Sequence, residues 1–250
     1  FNDTVHILFI YKFISGLDDM GILIAATIII FWSSHLLYAL TYVSVDFSNP
    51  LFYLHIALQG YLYTGLFITG HDAMHRTISI NRKVNIVFGW ISSLLFAGLS
   101  YNKLVKNHFK HHKDPGEEAD PDFYTKSQNF FIWWGVFLFR YTTVLQLVIM
   151  AVMFNVLKFW FDQTSIIFFW IIPAFLGTFQ LFFFGTYLPH KYPHTENMHP
   201  HNARTQKRNH LWAMISCYFF GYHHEHHESP ATPWWQLYKL KDKLSNTTGR

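Results

Sequence analysis

Residues 21–45, 51–69 and 165–188 contain no Lys, Arg, Asp or Glu, and each is about as long as the 20 residues an α-helix needs to cross a bilayer. A chain with three such stretches has few options. In hydrocarbon every backbone N–H and C=O must be paired within the segment, so helices are required. Residues 130–157 form a further apolar stretch broken by Arg140, which predicts an interfacial turn followed by a span starting near Tyr141. Residues 84–99 are uncharged but too short for a crossing, which predicts a re-entrant or interfacial hairpin. The apolar residues between His6 and Ile14 have no basic segment before them and no small-residue cleavage site. They read as an amphipathic lead-in rather than a signal peptide.

The expected fold is an all-α integral membrane protein, one membrane-embedded domain over residues 1–250 with about four transmembrane helices. Loop charge then orients it. Sixteen of the 19 Lys and Arg residues lie in segments 70–129 and 189–250, and positive loops stay on the cytoplasmic side. Four spans with both termini cytoplasmic satisfy this distribution. The basic residues are scattered among aromatics with no dense run, so no nucleic-acid partner is expected. One cysteine, Cys217, excludes an internal disulfide and a thiolate metal cluster.

Fourteen of the 17 histidines fall in the same two basic segments, which predicts a histidine-rich cytosolic cap. Their spacing is more telling than their number. His71 and His75 stand at i and i+4, and His108, His111 and His112 at i, i+3 and i+4, positions that share a helical face. In the run GYHHEHHESP the same frame selects His223, His226 and His227 and leaves His224 out. A single HxxxH is a weak signal, and one His-rich tract is often a solvated, adventitious metal binder. Three clusters in one helical frame, each outside a span, point instead to metal. Eight imidazoles exceed the coordination of one ion, so two ions close together are expected. Transport would need ligands at membrane depth, which these are not. His35, His55 and Gln59 do lie within spans, where helix-to-helix hydrogen bonding is the expected role.

These residues carry a family resemblance. His71-Asp-Ala-Met-His75, His108-Phe-Lys-His111-His112 with the following Asp-Pro and Asp120-Pro-Asp-Phe123, Leu188-Pro-His190, Phe220-Gly-Tyr-His-His-Glu-His-His and Pro233-Trp-Trp-Gln-Leu237 resemble the membrane desaturase and hydroxylase superfamily over about residues 50–240. Within it the wording is closest to the β-carotene ketolases. The resemblance implies a non-haem centre of two iron ions that activates O₂, with electrons from a ferredoxin-type donor, and it carries the eight motif histidines over as ligands. It implies a ninth imidazole after the last span, His190 or, as the competitor, His194. A carotenoid held in the lipid bilayer would be the substrate, its allylic ring methylene oxidised twice to a ketone, giving echinenone and then canthaxanthin from β-carotene. Ring hydroxylases and fatty-acyl desaturases share the clusters and remain alternatives, as does a metal-binding membrane protein.

A ligating imidazole commonly gives its other N–H to a carboxylate. Asp72, Asp114, Asp120, Asp122 and Glu225 are near enough in sequence to accept it. Asp114, Asp120 and Asp122 also suit turns, the first two as Asp-Pro steps and Asp122 just after one, and the sequence leaves both roles open. The basic cytosolic face would attract an acidic ferredoxin, though it also serves simply to set topology.

Overall fold

In the computed structural model the backbone is described for residues 2–248 and the side chains for residues 19–246. The side chains of the lead-in at residues 6–14 lie outside the described ones. The described residues form helices and turns without a strand: α1 (Asn2–Tyr42), α2 (Pro50–His75), α3 (Arg82–Ala97), α4 (Tyr101–Lys113), α5 (Phe130–Tyr141), α6 (Val144–Leu157), α7 (Gln163–His190), α8 (His210–Cys217), α9 (His223–Glu228) and α10 (Leu237–Thr248). Short polar residues start most of them. The side chains of Asn49, Asn81, Asn129, Thr143, Asp162 and Asn209 accept hydrogen bonds from first-turn amides of α2, α3, α5, α6, α7 and α8, satisfying donors that a helix leaves orphaned.

Residues Asp19–Tyr42 of α1, together with α2 and α7, are long and apolar enough to cross a membrane. At 1.5 Å per residue, the 26 residues of α2 span about 39 Å against a hydrocarbon core of about 30 Å. The excess is enough to carry the last turns of α2, with His71 and His75, beyond that core. Helices α2 and α7 run parallel. Phe52 packs on Phe168 and Phe169 at their starts, with ring centroids 5.3 and 5.7 Å apart, and both end at the histidine cluster. They also cross closely: a Cβ on Gly177 would lie 2.8 Å from Tyr63 Cβ and 3.2 Å from the Gly60 carbonyl. Small residues at a crossing allow the backbone contact that drives helix association in lipid.

The remaining apolar helices are bent pairs. The axis turns by 100° between α3 and α4, where Gly98 ends α3 at φ 64°, and by 88° between α5 and α6. The second bend lies at Tyr141–Val144, next to Arg140. Counting each bent pair as one span gives up to five candidate spans, and counting neither gives three. Near the start of α2 the in-span polar residues pair as expected: His35 donates Nδ1–H to Gln59 Oε1 (2.5 Å) and contacts His55 through Nε2 (3.1 Å).

Candidate metal centre

Four elements converge at one end of the helices: the C-terminal turn of α2, the second half of α4, the last residue of α7 and the whole of α9. Among the described residues they bring nine imidazoles together in two groups. His71, His75, His108, His112 and His226 form one; His111, His190, His223 and His227 form the other. Within each group one ligand atom from every ring lies within 4.8 Å of all the others. The groups abut, the His112 and His227 ring centroids being 4.3 Å apart.

The helical frame explains which face each cluster presents, but the division cuts across it. On α4, His108 and His112 are four residues apart and join the first group, while His111 turns to the second. On α9, His226 goes to the first and His223 and His227, again four apart, to the second. Each helix thus sends rings to both groups.

The nitrogens crowd as ligands of an ion do, the second group at ligand spacing and one pair of the first closer than that. His75 Nε2 is 2.5 Å from His108 Nε2, and His112 Nε2 is 3.0 Å from His226 Nε2. In the second group the Nε2 atoms of His111, His223 and His227 form a triangle with sides of 3.1, 3.1 and 3.5 Å. Around an ion with bonds of about 2.1 Å, adjacent donors stand about 3.0 Å apart in an octahedron and about 3.4 Å in a tetrahedron. Several buried nitrogens have no hydrogen-bond partner: both of His71, Nε2 of His190, and Nδ1 of His223 and His227. Unpaired buried polar atoms are costly, and an ion at each group gives His71 and His190 the partner they lack.

Protonation agrees. Burial, and then neighbouring imidazoles, hold His108, His223, His226 and His227 well below the ordinary histidine range, and bring His112 down to about 2. Neutral imidazole is the ligating form. His111 differs. Burial lowers it, but the charge of Asp120 and their hydrogen bond outweigh that and raise it to about 9. A metal at its Nε2 would displace that proton while Nδ1 kept its own.

The carboxylates divide. Asp120 Oδ2 accepts from His111 Nδ1 (2.9 Å) and from the Gly116 amide (2.9 Å), and its Oδ1 accepts from the Asp122 amide (2.8 Å). Asp122 Oδ2 is 4.0 Å from His111 Nδ1, and its Oδ1 accepts the Tyr141 hydroxyl. Asp72 Oδ1 is 3.6 Å from His71 Nδ1, and Oδ2 accepts the Trp234 amide (3.1 Å), which ties the Pro-Trp-Trp tail to α2. The other two carboxylates pair with lysines. Asp114 ends α4 in a part-exposed turn, 3.9 Å from Lys113 Nζ, and Glu225 lies 3.5 Å from Lys241 Nζ. Nearness in sequence put both beside a histidine, but among the described residues their ion-pair partners are lysines and not ring nitrogens.

His194 is also outside the cluster: its Nε2–H donates to the His190 carbonyl (2.8 Å). His190 donates Nδ1–H to the Asn202 carbonyl (2.9 Å), leaving Nε2 to face the second group. His224, skipped by the frame, donates to the Ala203 carbonyl (3.1 Å). Sequence reasoning missed Asn202 as a support of the cluster, and it missed the role of Arg140. The Arg140 guanidinium donates to the carbonyls of Pro121 (2.8 Å) and Phe123 (2.6 Å), clamping the loop that carries Asp120. A lone arginine in an apolar run was the available signal.

A cavity of about 600 Å³ leads to the cluster. His71, His108, His111 and His223 line its inner end. Leu147 of α6 and Phe175 of α7 line it and are also 58% and 54% exposed, so it opens sideways between those helices.

The chain matches the fatty acid desaturase family model over residues 48–159 and 139–250. It is 34% identical to a zeaxanthin 4-ketolase of Chlamydomonas reinhardtii over 90% of its own length, and spans about half of that protein (54%). It is 34% identical to a β-carotene 4-ketolase of Haematococcus lacustris, covering 88% of this chain and 78% of the relative. With a β-carotene ketolase of Paracoccus sp. (strain N81106 / MBIC 01143) the identity is 32%, covering 92% and 95%. No solved structure matches it. Family model, relatives and histidine geometry agree: the chain belongs to the fatty acid desaturase family, in the part of it that contains the carotenoid ketolases.

Proposed function

We propose that this chain is a carotenoid ketolase that oxidises the allylic ring methylene of a β-ionone end group to a ketone, with nine imidazoles holding two iron ions. One observation carries the reading: an apolar cavity open toward lipid ends on the histidine cluster. His71, His75, His108, His112 and His226 would hold one ion, and His111, His190, His223 and His227 the other. Bound iron supplies the O₂ activation and oxidising strength that side chains lack.

The chain's own groups do the rest. The cavity admits the ring from the bilayer between α6 and α7 and brings a ring carbon to the cluster. Its apolar wall keeps water from the reacting atoms. Asp120 holds His111 in one tautomer and orientation. Each hydroxylation consumes one O₂, two electrons and two protons and releases one water. A second one at the same carbon gives a geminal diol, which loses water to leave the ketone. The electrons would come from a reduced ferredoxin-type donor. Exposed Lys106, Lys110 and Lys113 on α4 offer an acidic donor a complementary surface beside the cluster.

The chain is read as one membrane-embedded domain with four crossings, and with the cluster and both termini cytoplasmic. Parallel α2 and α7 support the count, because residues 76–162 must return to the far face between them. Of the bent pairs, α5 and α6 suit that return. The concentration of Lys and Arg at the cluster end supports the orientation.

The reading is tested by expression in a host that makes β-carotene, followed by pigment chromatography. Ring ketones are expected. Hydroxylated rings alone would replace the reading with a ring hydroxylase, and unchanged β-carotene with desaturated lipids would replace it with a desaturase. The ninth ligand has its own test. His190→Ala is expected to lower bound iron toward one per chain and activity more than about tenfold, whereas His194→Ala, which loses a hydrogen bond to a carbonyl, is expected to keep both irons. Equal iron loss in both would remove His190 from the ligand set.

A further inference from the structure

Asp122 and Tyr141 are out of place in the cavity if its guest is only a hydrocarbon. Both line it at the end where His111 and His108 stand, in walls that are mostly Phe, Leu, Met and Ala with Gln146, Asn155 and three threonines, and among the described residues Asp122 is the one carboxylate in them. The Tyr141 hydroxyl donates to Asp122 Oδ1. The His111 N–H that Asp122 approaches at 4.0 Å is already given to Asp120 Oδ2 at 2.9 Å, so Asp122 is not needed to orient that ring. The pair is firmly placed: the Asp122 carbonyl accepts from Trp133 Nε1 (2.8 Å), and Lys103 Nζ holds the Tyr141 carbonyl (3.3 Å). Burying polar groups in an apolar wall has a cost. The Tyr141 oxygen gives its proton to Asp122 and already receives the Asn107 side chain, so the acceptors left for a guest are its second lone pair and the remaining carboxylate lone pairs of Asp122.

We infer that the Asp122–Tyr141 pair is a seat for a hydroxyl on the substrate ring, accepting its hydrogen bond and holding the hydroxylated ring in the cavity. The inference rests on the ketolase reading and adds to it a determinant of how far oxidation proceeds. A ketolase must oxidise one carbon twice. Between the rounds the ring is an alcohol, which must stay or be recaptured. An alcohol that leaves makes the enzyme a hydroxylase. The same seat would accept a hydroxyl on the neighbouring carbon of a ring hydroxylated beforehand.

The experiment uses the full chain in detergent or nanodiscs, as wild type and as Tyr141→Phe and Asp122→Asn, each checked for iron content. The iron-loaded protein, kept oxidised and without an electron donor so that it does not turn over, is titrated with β-carotene, with 4-hydroxy-β-carotene and with the 3-hydroxy ring compound, following the shift of the polyene absorption. Wild type is expected to bind a hydroxylated ring about tenfold more tightly than β-carotene, the factor for one hydrogen bond of about 1.4 kcal/mol, and both variants to lose the preference. Tighter binding of the 4-hydroxy compound identifies the reaction's own alcohol as the ligand, and tighter binding of the 3-hydroxy compound a prehydroxylated substrate. In cells the iron-replete variants are expected to raise the alcohol-to-ketone ratio about tenfold. No preference in wild type, or a preference and product ratio unchanged in both variants, would overturn the seat. Absence of any oxidised carotenoid in wild-type cells would instead overturn the ketolase reading.

Discussion

His227→Ala is expected to bind no more than one iron per chain and to lose more than about a hundredfold in ketone formation, while remaining in the membrane. The size follows from its position. Loss of a residue that merely supports a ligand costs about 10–100-fold, and His227 stands in the proposed ligand set itself, with Nε2 3.1 Å from both His111 and His223. Its ring also abuts His112 of the first group, so the void it leaves touches both halves of the centre. Helix α9 is six residues long and buried, and the rings packed on His227 are other histidines rather than the apolar side chains that join the long helices. Membrane extraction and iron analysis on one preparation separate loss of metal from loss of fold. Full activity with two irons would remove His227 from the ligands.

Asp120→Ala is expected to weaken iron binding or activity about 10–100-fold with every imidazole still present. Three hydrogen bonds converge on this buried carboxylate, from His111, the Gly116 amide and the Asp122 amide. Without it, His111 loses the acceptor that fixes its tautomer, and two loop amides lose their partner at about 1–3 kcal/mol for a buried group. Asp120→Asn is expected to be nearly as damaging. Its amide nitrogen must face one of the donors that the carboxylate oxygens accept. Iron titration of both variants beside Asp114→Ala checks this, since Asp114 sits in a part-exposed turn away from the rings. Equal affinity in all three would contradict the support given by Asp120.

What was legible in the sequence follows from how local each feature is. Helical geometry alone relates His108, His111 and His112, or His223, His226 and His227, so the frame that set His224 aside could be read from spacing. Which rings fall in one group could not, because that depends on how α2, α4, α7 and α9 meet. The choice between His190 and His194 was equally closed. A π-helical turn at Phe183–Tyr187 shifts the phase of α7 just before His190, and the chain then folds back so that His194 supports the His190 carbonyl. Asp114 and Glu225 show the limit of adjacency: a carboxylate next to a ligand in sequence need not face it, whereas Asp120, nine residues from His111, does. Arg140 was read as the mark of an interfacial turn. The bend is there, and the loop carbonyls it holds lie 17 and 19 residues away, beyond the reach of any local pattern.

Two ions held by nine imidazoles are tested most directly by counting iron. Full-length protein reconstituted anaerobically with ferrous iron, stripped of loosely held metal and assayed per chain, is expected to hold two irons, falling to one in His75→Ala or in His223→Ala. A wild-type value of one, or a value of two unmoved by both substitutions, would contradict the two-ion centre.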